Sequence, residues 1–287
     1  MAQLQDTDKP ALLIVGFGAA GRAYAEGFAP HAHVTASDPY LDPTLKLEDI
    51  RLCSDLPETL EGYDLVIVLS PAVASLSICK ALAALPGRCP VLDLTSSEPA
   101  NMEAAAALLG PRFVDGTVLG AVGLTGLATP MVFSGPEAAR VAGVLTPLGC
   151  AITCLDAPPG AASTLKLLRS MFMKGLEALV VETNLTALKL GQTNGLDLAL
   201  SDLKEVNILD QMAEMLRTHP RHAQRRKHEI IAAVDLAQSA GVTPVMAQAT
   251  LSLFERTANS GTGPDRSPQA ALEWLSEQLI QSSEVHA

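Results

Sequence analysis

The chain has 287 residues, a formal net charge of −11, and 48% hydrophobic but only 3% aromatic residues. This length is enough for two domains whose cores are packed mainly from Ala, Leu and Val. The negative charge argues against nucleic acid or an anionic membrane as the main partner. No segment reaches the roughly 20 uncharged apolar residues of a membrane span, and the polar N-terminus lacks the apolar core of an export signal. We therefore expect a cytoplasmic, globular protein.

The five cysteines are odd in number and mostly lie in apolar contexts. This usage is typical of reduced core residues rather than of disulfides. Cys150 and Cys154 are four residues apart, but further metal ligands are missing nearby. We therefore expect no metal site.

An apolar run over residues 11–15 is followed by Gly16, Gly18 and Gly21, with the spacing Gly-x-Gly-x-x-Gly. The first glycine permits a tight turn, the second lets the backbone approach a pyrophosphate, and the third lets a helix pack closely on the strand. The pyrophosphate would bind at the N-terminus of that helix. The alternative is an ordinary turn after a strand. The predicted cofactor contacts in this segment are Gly16, Phe17, Gly18, Ala19, Ala20 and Gly21.

A second predicted strand, residues 33–37, ends in Asp38. This is about 20 residues beyond the glycines, where a carboxylate binds the ribose 2′-hydroxyl of a dinucleotide. Asp38 would repel a 2′-phosphate, and no arginine follows it, so NAD is favoured and NADP is less expected. The alternative is that Asp38 and Pro39 form a plain turn signal.

The first half of the chain alternates short apolar runs with helical stretches, as a doubly wound parallel sheet requires. The predicted strands are 11–15, 33–37, 50–53, 64–69, 90–94, 112–114, 131–134 and 150–155. The predicted helices are 19–29, 72–85, 100–109 and 137–148.

Beyond Pro158-Pro159-Gly160 the strand pattern stops, and one long helix is predicted over 161–192. We therefore expect a dinucleotide-binding Rossmann domain at 1–159 and an all-α substrate and dimerisation domain at 160–287. The apolar faces of this helical half favour a homodimer. Its other predicted helices are 196–216, 222–240, 244–258 and 268–282.

Ligands of an open α/β sheet bind in the loops that follow the strands. The loops 69–71, 93–99 and 115–123 carry small hydroxyl or glycine residues. Alternatively, residues 97–99 are only a helix cap. The predicted cofactor contacts in the first two loops are Ser70, Pro71, Thr95 and Ser96. Ser96 is also predicted to contact the substrate.

Oxidation of an alcohol by a nicotinamide releases a proton as well as a hydride, so a proton acceptor is needed. Lys166, at the start of the long predicted helix, is our candidate. Ser170 and Lys174 follow it at four-residue spacing and share its helical side. Alternatively, the two lysines form a solvated face.

Three motifs resemble the β-hydroxyacid dehydrogenase superfamily, which includes 3-hydroxyisobutyrate and 6-phosphogluconate dehydrogenases. They are the glycine motif 16–21, the segment 115–122 and Gly160-x-Ala-x-x-x-Lys166. The resemblance implies that Lys166 is the general acid/base. Residues 166–179 and 225–229 are most similar to a poorly characterised, phosphogluconate-dehydrogenase-like NAD-binding subgroup.

Three departures from the family pattern concern the substrate site. Ser170 replaces an asparagine one turn after the lysine, and Leu119 replaces the serine that meets the substrate carboxylate. Met173 stands where the decarboxylating enzymes have a glutamate acid. We therefore expect this chain to recognise its substrate through residues other than those of the family pattern. Decarboxylation by the family's usual route is not expected. The predicted catalytic pair is Lys166 and Ser170, and the substrate contacts are Ser96, Leu119, Gly120, Ala121, Arg169, Lys174 and Arg225.

A basic stretch from Arg217 to His228 is unusual in so acidic a chain. It could clamp a carboxylate or phosphate, or form a solvated face. The hypothesis is hydride transfer between NAD and a small, anionic β-hydroxy acid, which could be a sugar acid. The alternatives are an imine or enamine reductase of the same architecture, or a protein that senses NAD without turnover.

Overall fold

The computed structural model describes residues 9–258, 263 and 267–280. The chain divides into two compact units, Met1–Met171 and Phe172–Ala287. The first contains an eight-stranded sheet with helices, and the described part of the second is entirely helical. The predicted fold class, a doubly wound sheet followed by an all-α region, is confirmed.

The sheet places its first strand next to the fourth, with the order β3-β2-β1-β4-β5-β6-β7-β8. The strand order therefore reverses beside β1, and the carboxyl ends of β1 and β4 border the crevice where ligands bind in such sheets. All neighbouring strands are parallel except β6 and β7, which are antiparallel. The strands are β1 (Ala11–Val15), β2 (His33–Ser37), β3 (Ile50–Cys53), β4 (Leu65–Val68), β5 (Val91–Asp93), β6 (Phe113–Val118), β7 (Met131–Ser134) and β8 (Ile152–Cys154).

Six α-helices begin in the described part of the first unit, and the last of them continues into the second. They are α1 (Ala19–Phe28), α2 (Ser75–Ala84), α3 (Pro99–Leu109), α4 (Val122–Thr125), α5 (Ala138–Leu145) and α6 (Ala161–Lys189). The second unit adds α7 (Thr193–Ala199), α8 (Ile208–Ser239), α9 (Val245–Ala258) and α10 (Pro268–Leu279).

Two apolar layers cover the faces of the sheet. Leu12 and Ile14 of β1 belong to the layer that includes Phe28 of α1. Leu13 alternates with them and belongs to the opposite layer, with Met102 of α3. Because both faces of the sheet are buried, β1 and β4 are apolar throughout, which is why the sequence pattern identifies them.

The strand β6 is longer than the sequence predicted. The expected strand ended at residue 114 and the expected loop began at 115, which is wrong for residues 115–118. Gly116 pairs with Phe133 and Thr117 with Val132 of the antiparallel β7. A Cβ atom on Gly116 would lie 2.7 Å from the side chains of Leu92 and Leu94, so this glycine serves packing rather than a turn.

The helix α8 continues through Pro220, where the sequence predicted a break between two helices. Proline removes one helical hydrogen bond at a cost of about 3 kcal/mol. Here Pro220 is buried, and a Cβ atom on Gly263 would lie 2.6 Å from its Cβ and 2.8 Å from the Trp274 ring. Tertiary packing therefore overrides the local preference. The helix expected over 196–216 is also divided, between α7 and the start of α8.

Glu182 of α6 binds the first turn of α9. Its carboxylate accepts hydrogen bonds from Met246 N at 2.7 Å and Ala247 N at 2.9 Å. These amides lack helical partners, and a negative charge at a helix N-terminus is favourable. The contact fastens α6 to α9 within the second unit.

The described residues contain no helix long and apolar enough to cross a membrane. All five cysteines are free, and Cys154 is exposed. Among the same residues, no group of three or more His, Cys, Asp or Glu could hold a metal ion.

His219 joins α8 to α9 in the second unit. Its Nε2 atom lies 2.9 Å from Thr257 Oγ1, and its ring centroid lies 4.9 Å from that of Phe254. The imidazole is buried. Burial lowers the pKa of His219, and the nearby Arg226 lowers it further.

We expect the second unit to lose stability as the pH falls below about 6.5, the unfolded-state pKa of histidine. A histidine whose folded pKa is lowered binds protons more readily when unfolded, so its contribution is present above that pH and lost below it. His219→Gln, which cannot titrate, should show a smaller loss between pH 8 and pH 5 in urea unfolding. His228→Gln, at an exposed position of the same helix, should behave like the wild type. An unchanged pH dependence in His219→Gln would contradict this assignment.

Candidate functional site

The turn after β1 comes so close to the end of β4 that only glycine fits at its first position. Gly16 has a φ of +103°, and a Cβ atom there would lie 2.7 Å from backbone atoms of Leu69 and Ser70. A Cβ atom on Gly21 would lie 2.0 Å from the Gly16 carbonyl oxygen. These two glycines therefore allow α1 and both strands to converge at the crevice.

Gly18 differs from these two residues because packing does not require a glycine at this position. A Cβ atom there would have no neighbour within 4 Å among the described residues, and the φ of −70° suits any residue. Gly18 is the N-cap of α1, and no side chain caps this helix end. The first amides of α1 therefore face open space, which is the arrangement that binds a phosphate group.

Asp38 connects the glycine turn to the loop after β2. Its carboxylate accepts a hydrogen bond from Phe17 N at 2.7 Å and another from Tyr40 N at 2.8 Å. One bond goes to each oxygen, so each oxygen keeps acceptor capacity for a ligand. The side chain is half-buried at the wall of the crevice.

A pocket of about 770 Å³ occupies this crevice. Six predicted cofactor residues line it: Gly16, Phe17, Gly18, Asp38, Ser70 and Pro71. The other predicted cofactor residues do not line this pocket: Ala19, Ala20, Gly21, Thr95 and Ser96. The sequence pattern did not identify three further charged residues that line it, namely Arg22, Asp42 and Asp55. Arg22 was recognisable as the only basic residue in the first turns after the glycines, whereas the two aspartates had no local signal.

The loop after β5 holds Thr95 and Ser96. Thr95 donates its backbone N–H and its hydroxyl to Asp93. Ser96 has a φ of 55° and is the one non-glycine residue with a positive φ in the described part of the chain. Such backbone conformations cluster at functional sites.

The buried carboxylate of Asp115, in β6, binds the beginning of α6. It accepts hydrogen bonds from Gly160 N at 2.8 Å, Ser163 N at 3.1 Å and Ser163 Oγ at 2.6 Å. Ser134 of β7 donates its hydroxyl to Asp115 at 3.2 Å and accepts from Ala162 N at 3.1 Å. The first turn of α6 is therefore fixed on the sheet.

Lys166 lies one turn further along α6 and donates a hydrogen bond from Nζ to the carbonyl oxygen of Val118. The last paired residues of β5 and β6 are Asp93 and Asp115, so Val118 lies three residues beyond the end of β5. Lys166 is half-buried. Burial lowers the pKa of Lys166, and Arg169 lowers it further. The effect of Arg169 on this pKa is therefore smaller than the effect of burial.

The other predicted substrate residues lie in more open surroundings. Ser170 is half-buried one turn after Lys166, and Arg169 is exposed. Leu119 is half-buried and donates its N–H to the Pro130 carbonyl at 2.8 Å. Gly120 and Ala121 follow it at exposed positions.

Two predicted substrate contacts belong to the second unit. Lys174 is exposed and lies 2.7 Å from Glu177. Arg225 is exposed and forms an ion pair with Glu229. Both remain predictions. Elsewhere in the basic stretch, Arg217 pairs with Glu214 at 2.7 Å.

Comparisons with known proteins support the same architecture. Residues 190–257 match a domain family of unknown function, DUF1932. An uncharacterized 28.5 kDa protein from the 7S RNA 5′ region of Methanothermus fervidus is 24% identical over 246 residues, which are 84% of this chain and 96% of that protein.

Two solved structures share the fold. One is a conserved protein of unknown function described as structurally similar to 3-hydroxyacid dehydrogenases; it is 23% identical with a TM-score of 0.59, covering 86% of this chain and 96% of its own. The other is a reductive aminase from Aspergillus terreus in complex with NADPH; it is 20% identical with a TM-score of 0.73, covering 93% of this chain and 99% of its own. The fold implied by the resemblance to the β-hydroxyacid dehydrogenase superfamily is therefore confirmed.

The glycine motif offers a matched pair of substitutions. Gly18→Ala should weaken NADH binding at least about tenfold, because a methyl group would fill the phosphate approach, while the unfolding free energy changes by less than about 0.5 kcal/mol. Gly21→Ala should cost about 2 kcal/mol or more, because its methyl group collides with backbone and this outweighs the roughly 1 kcal/mol gained in helix propensity. Calorimetry and urea unfolding measure the two quantities. Unchanged NADH affinity in Gly18→Ala would show that the cofactor does not use this helix end.

Proposed function

We propose that this protein is an NAD-dependent dehydrogenase that transfers a hydride between NAD and a small, anionic β-hydroxy acid. The observation that carries the proposal is the amine of Lys166. It is half-buried, has a lowered pKa and lies beyond the carboxyl end of β5, in the same unit as the nucleotide crevice. A general base must have a pKa near the working pH, and lowering the pKa of a lysine moves it in that direction.

The chain's own residues would handle the proton. Val118 O holds one N–H of Lys166 and thereby orients the nitrogen. In the oxidation direction, the substrate O–H bond breaks and its proton moves to the Nζ lone pair of the neutral amine. When bound, NAD would supply the acceptor for the hydride that leaves the carbinol carbon as its C–H bond breaks. Ser170 and Ser96 would orient the substrate through their hydroxyl groups.

The proposed cofactor is NAD rather than NADP. The carboxylates of Asp38, Asp42 and Asp55 line the pocket and would repel a 2′-phosphate. Arg22 is the only basic residue among the pocket's lining, and it lies 2.7 Å from Glu26. The similar aminase structure holds NADPH, so cofactor preference needs a direct test.

We expect wild-type protein to bind NADH more tightly than NADPH. Asp38→Ser should weaken NADH binding by about tenfold, because a charged hydrogen bond to the ribose is lost. It should also bring the affinities for NADH and NADPH closer together. Asp49→Ser, an exposed aspartate outside this pocket, controls for the change in overall charge. Titration calorimetry with both cofactors gives the affinities. A wild-type preference for NADPH would contradict the role of Asp38.

Lys166→Met should lower kcat at least about 100-fold while NADH affinity stays within threefold, because general base catalysis contributes factors of this size. The matched control is Lys189→Met, an exposed lysine at the far end of the same helix. The assay follows NADH absorbance with NAD and a set of β-hydroxy acids that includes sugar acids. Turnover of Lys166→Met within tenfold of the wild type would remove this lysine from the mechanism.

An imine or enamine reductase is the second candidate function, favoured by the TM-score of 0.73 with the reductive aminase. Incubation with NADH and a cyclic imine distinguishes it from a dehydrogenase. Consumption of NADH with the imine, without NADH formation from any hydroxy acid, would select the reductase. Binding of NADH without either reaction would select an NAD-sensing protein.

A second copy of the chain is the proposed protein partner. Several apolar side chains on α6 are largely exposed, including Met171 at 72% and Leu188 at 63%. Patches of this kind mark interaction surfaces. Light scattering should give twice the 30.0 kDa of one chain, and Leu188→Glu should shift the protein toward the monomer. A wild-type mass of one chain would contradict the homodimer.

A further inference from the structure

We propose that Asp93 is a positioning residue for the reaction, because its buried carboxyl group fixes the Thr95–Ser96 loop beside Lys166. This inference rests on the proposed function, in which Ser96 contacts the substrate. Asp93 is the last residue of β5 and is 0% exposed, so it acts through the loop and not by touching the substrate.

The two oxygens of Asp93 hold different parts of the fold. Oδ1 accepts hydrogen bonds from Thr95 N at 2.8 Å and Thr95 Oγ1 at 2.6 Å. Oδ2 accepts from Ser75 Oγ at 2.6 Å and from Cys79 Sγ at 3.7 Å, both in α2. One side of the carboxyl group therefore binds the loop, and the other side binds a helix.

Ser96 needs such a restraint because its backbone is strained. The left-handed conformation at φ 55° is unfavourable for a non-glycine residue because its Cβ atom comes too close to the following carbonyl oxygen. Strain of this kind persists only where surrounding contacts determine the conformation. Thr95 is bound to Asp93 on one side of Ser96, and on the other side the buried Ser97 Oγ accepts from Asn101 Nδ2 at 3.0 Å.

The register of the sheet brings this loop toward Lys166. Asp93 and Asp115 are paired residues of the neighbouring parallel strands β5 and β6. Asp115 binds the first turn of α6, and Val118, three residues further along β6, accepts the hydrogen bond of Lys166. Ser96 lies three residues beyond Asp93, and neighbouring strands are about 4.8 Å apart. Two paired acids on adjacent strands therefore hold the loop after β5 and the first turn of α6.

A role in folding alone is the competing explanation, since Asp93 also satisfies Ser75 and Cys79. The two sides of the carboxyl group separate these roles. Thr95 Oγ1 and Ser75 Oγ both donate to it at 2.6 Å, but only Thr95 belongs to the loop. Thr95→Val and Ser75→Ala each remove one such hydroxyl and form a matched pair.

The experiment compares Asp93→Asn, Thr95→Val, Thr95→Ser and Ser75→Ala in the full chain. Hydrogen–deuterium exchange reports on residues 94–98, calorimetry gives NADH affinity, and the NADH absorbance assay gives kcat. Asp93→Asn and Thr95→Val should exchange several-fold faster in this segment and lose about tenfold in kcat, since small misplacements at a reacting centre cost such factors. NADH affinity should stay within threefold, because neither Thr95 nor Ser96 lines the pocket in the crevice. Ser75→Ala should stay within threefold of wild-type kcat, and Thr95→Ser, which keeps the hydroxyl, should recover most of the kcat that Thr95→Val loses.

Equal losses of kcat in Thr95→Val and Ser75→Ala would overturn the inference, because they would indicate a general effect on folding. Unchanged exchange over 94–98 in Asp93→Asn would overturn it as well. If Asp93→Asn does not fold, the comparison of Thr95→Val with Thr95→Ser still tests whether the hydrogen bond to Asp93 fixes the loop. If the wild type turns over no hydroxy acid, the proposed function fails, and the exchange result alone decides whether Asp93 fixes the loop.

Discussion

The site depends on the buried carboxylate of Asp115 under the first turn of α6. It satisfies the amides of Gly160 and Ser163, which have no partner within the helix. Hydrogen bonds to a charged group contribute about 1.5–3 kcal/mol each, and the helix dipole favours the same charge. Because consecutive helical residues differ by about 100° around the axis, a shift of α6 by one residue would move Lys166 away from Val118. The position of the Lys166 amine thus follows from an interaction one helical turn earlier.

Burial of polar groups gives this site its rigidity at a cost in solvation. Asp93 and Asp115 are both 0% exposed on adjacent strands. Burial raises the pKa of Asp93, and Asp115 adds a smaller increase, while hydrogen bonds from Ser75 and Thr95 oppose it. Fully hydrogen-bonded polar networks fix one arrangement, whereas a partly satisfied network would be unfavourable. The same desolvation, acting on Lys166, lowers its pKa toward the range in which it can exchange a proton.

Local signals in the sequence predicted β1, the glycine turn and Asp38, because these features are close together along the chain and each has a steric reason. Features that depend on distant partners were not predicted. The extension of β6 requires pairing with β7, and the continuity of α8 requires packing against Pro220. Asp93 at the end of β5 and Asp115 within β6 were visible as single aspartates after apolar runs. Their hydrogen-bond partners lie up to 48 residues away, so their role could not be predicted from spacing.

The crowding around Gly16 has a consequence for any redesign of nucleotide preference. Its backbone lies so close to Leu69 and Ser70 that this wall cannot accept even a methyl group without moving two central strands. Asp38, Tyr40 and Asp42 also line the pocket but belong to the loop after β2, where Tyr40 is 93% exposed. Mutant libraries that aim to change the proposed dinucleotide preference should therefore vary the loop after β2 and leave Gly16 unchanged.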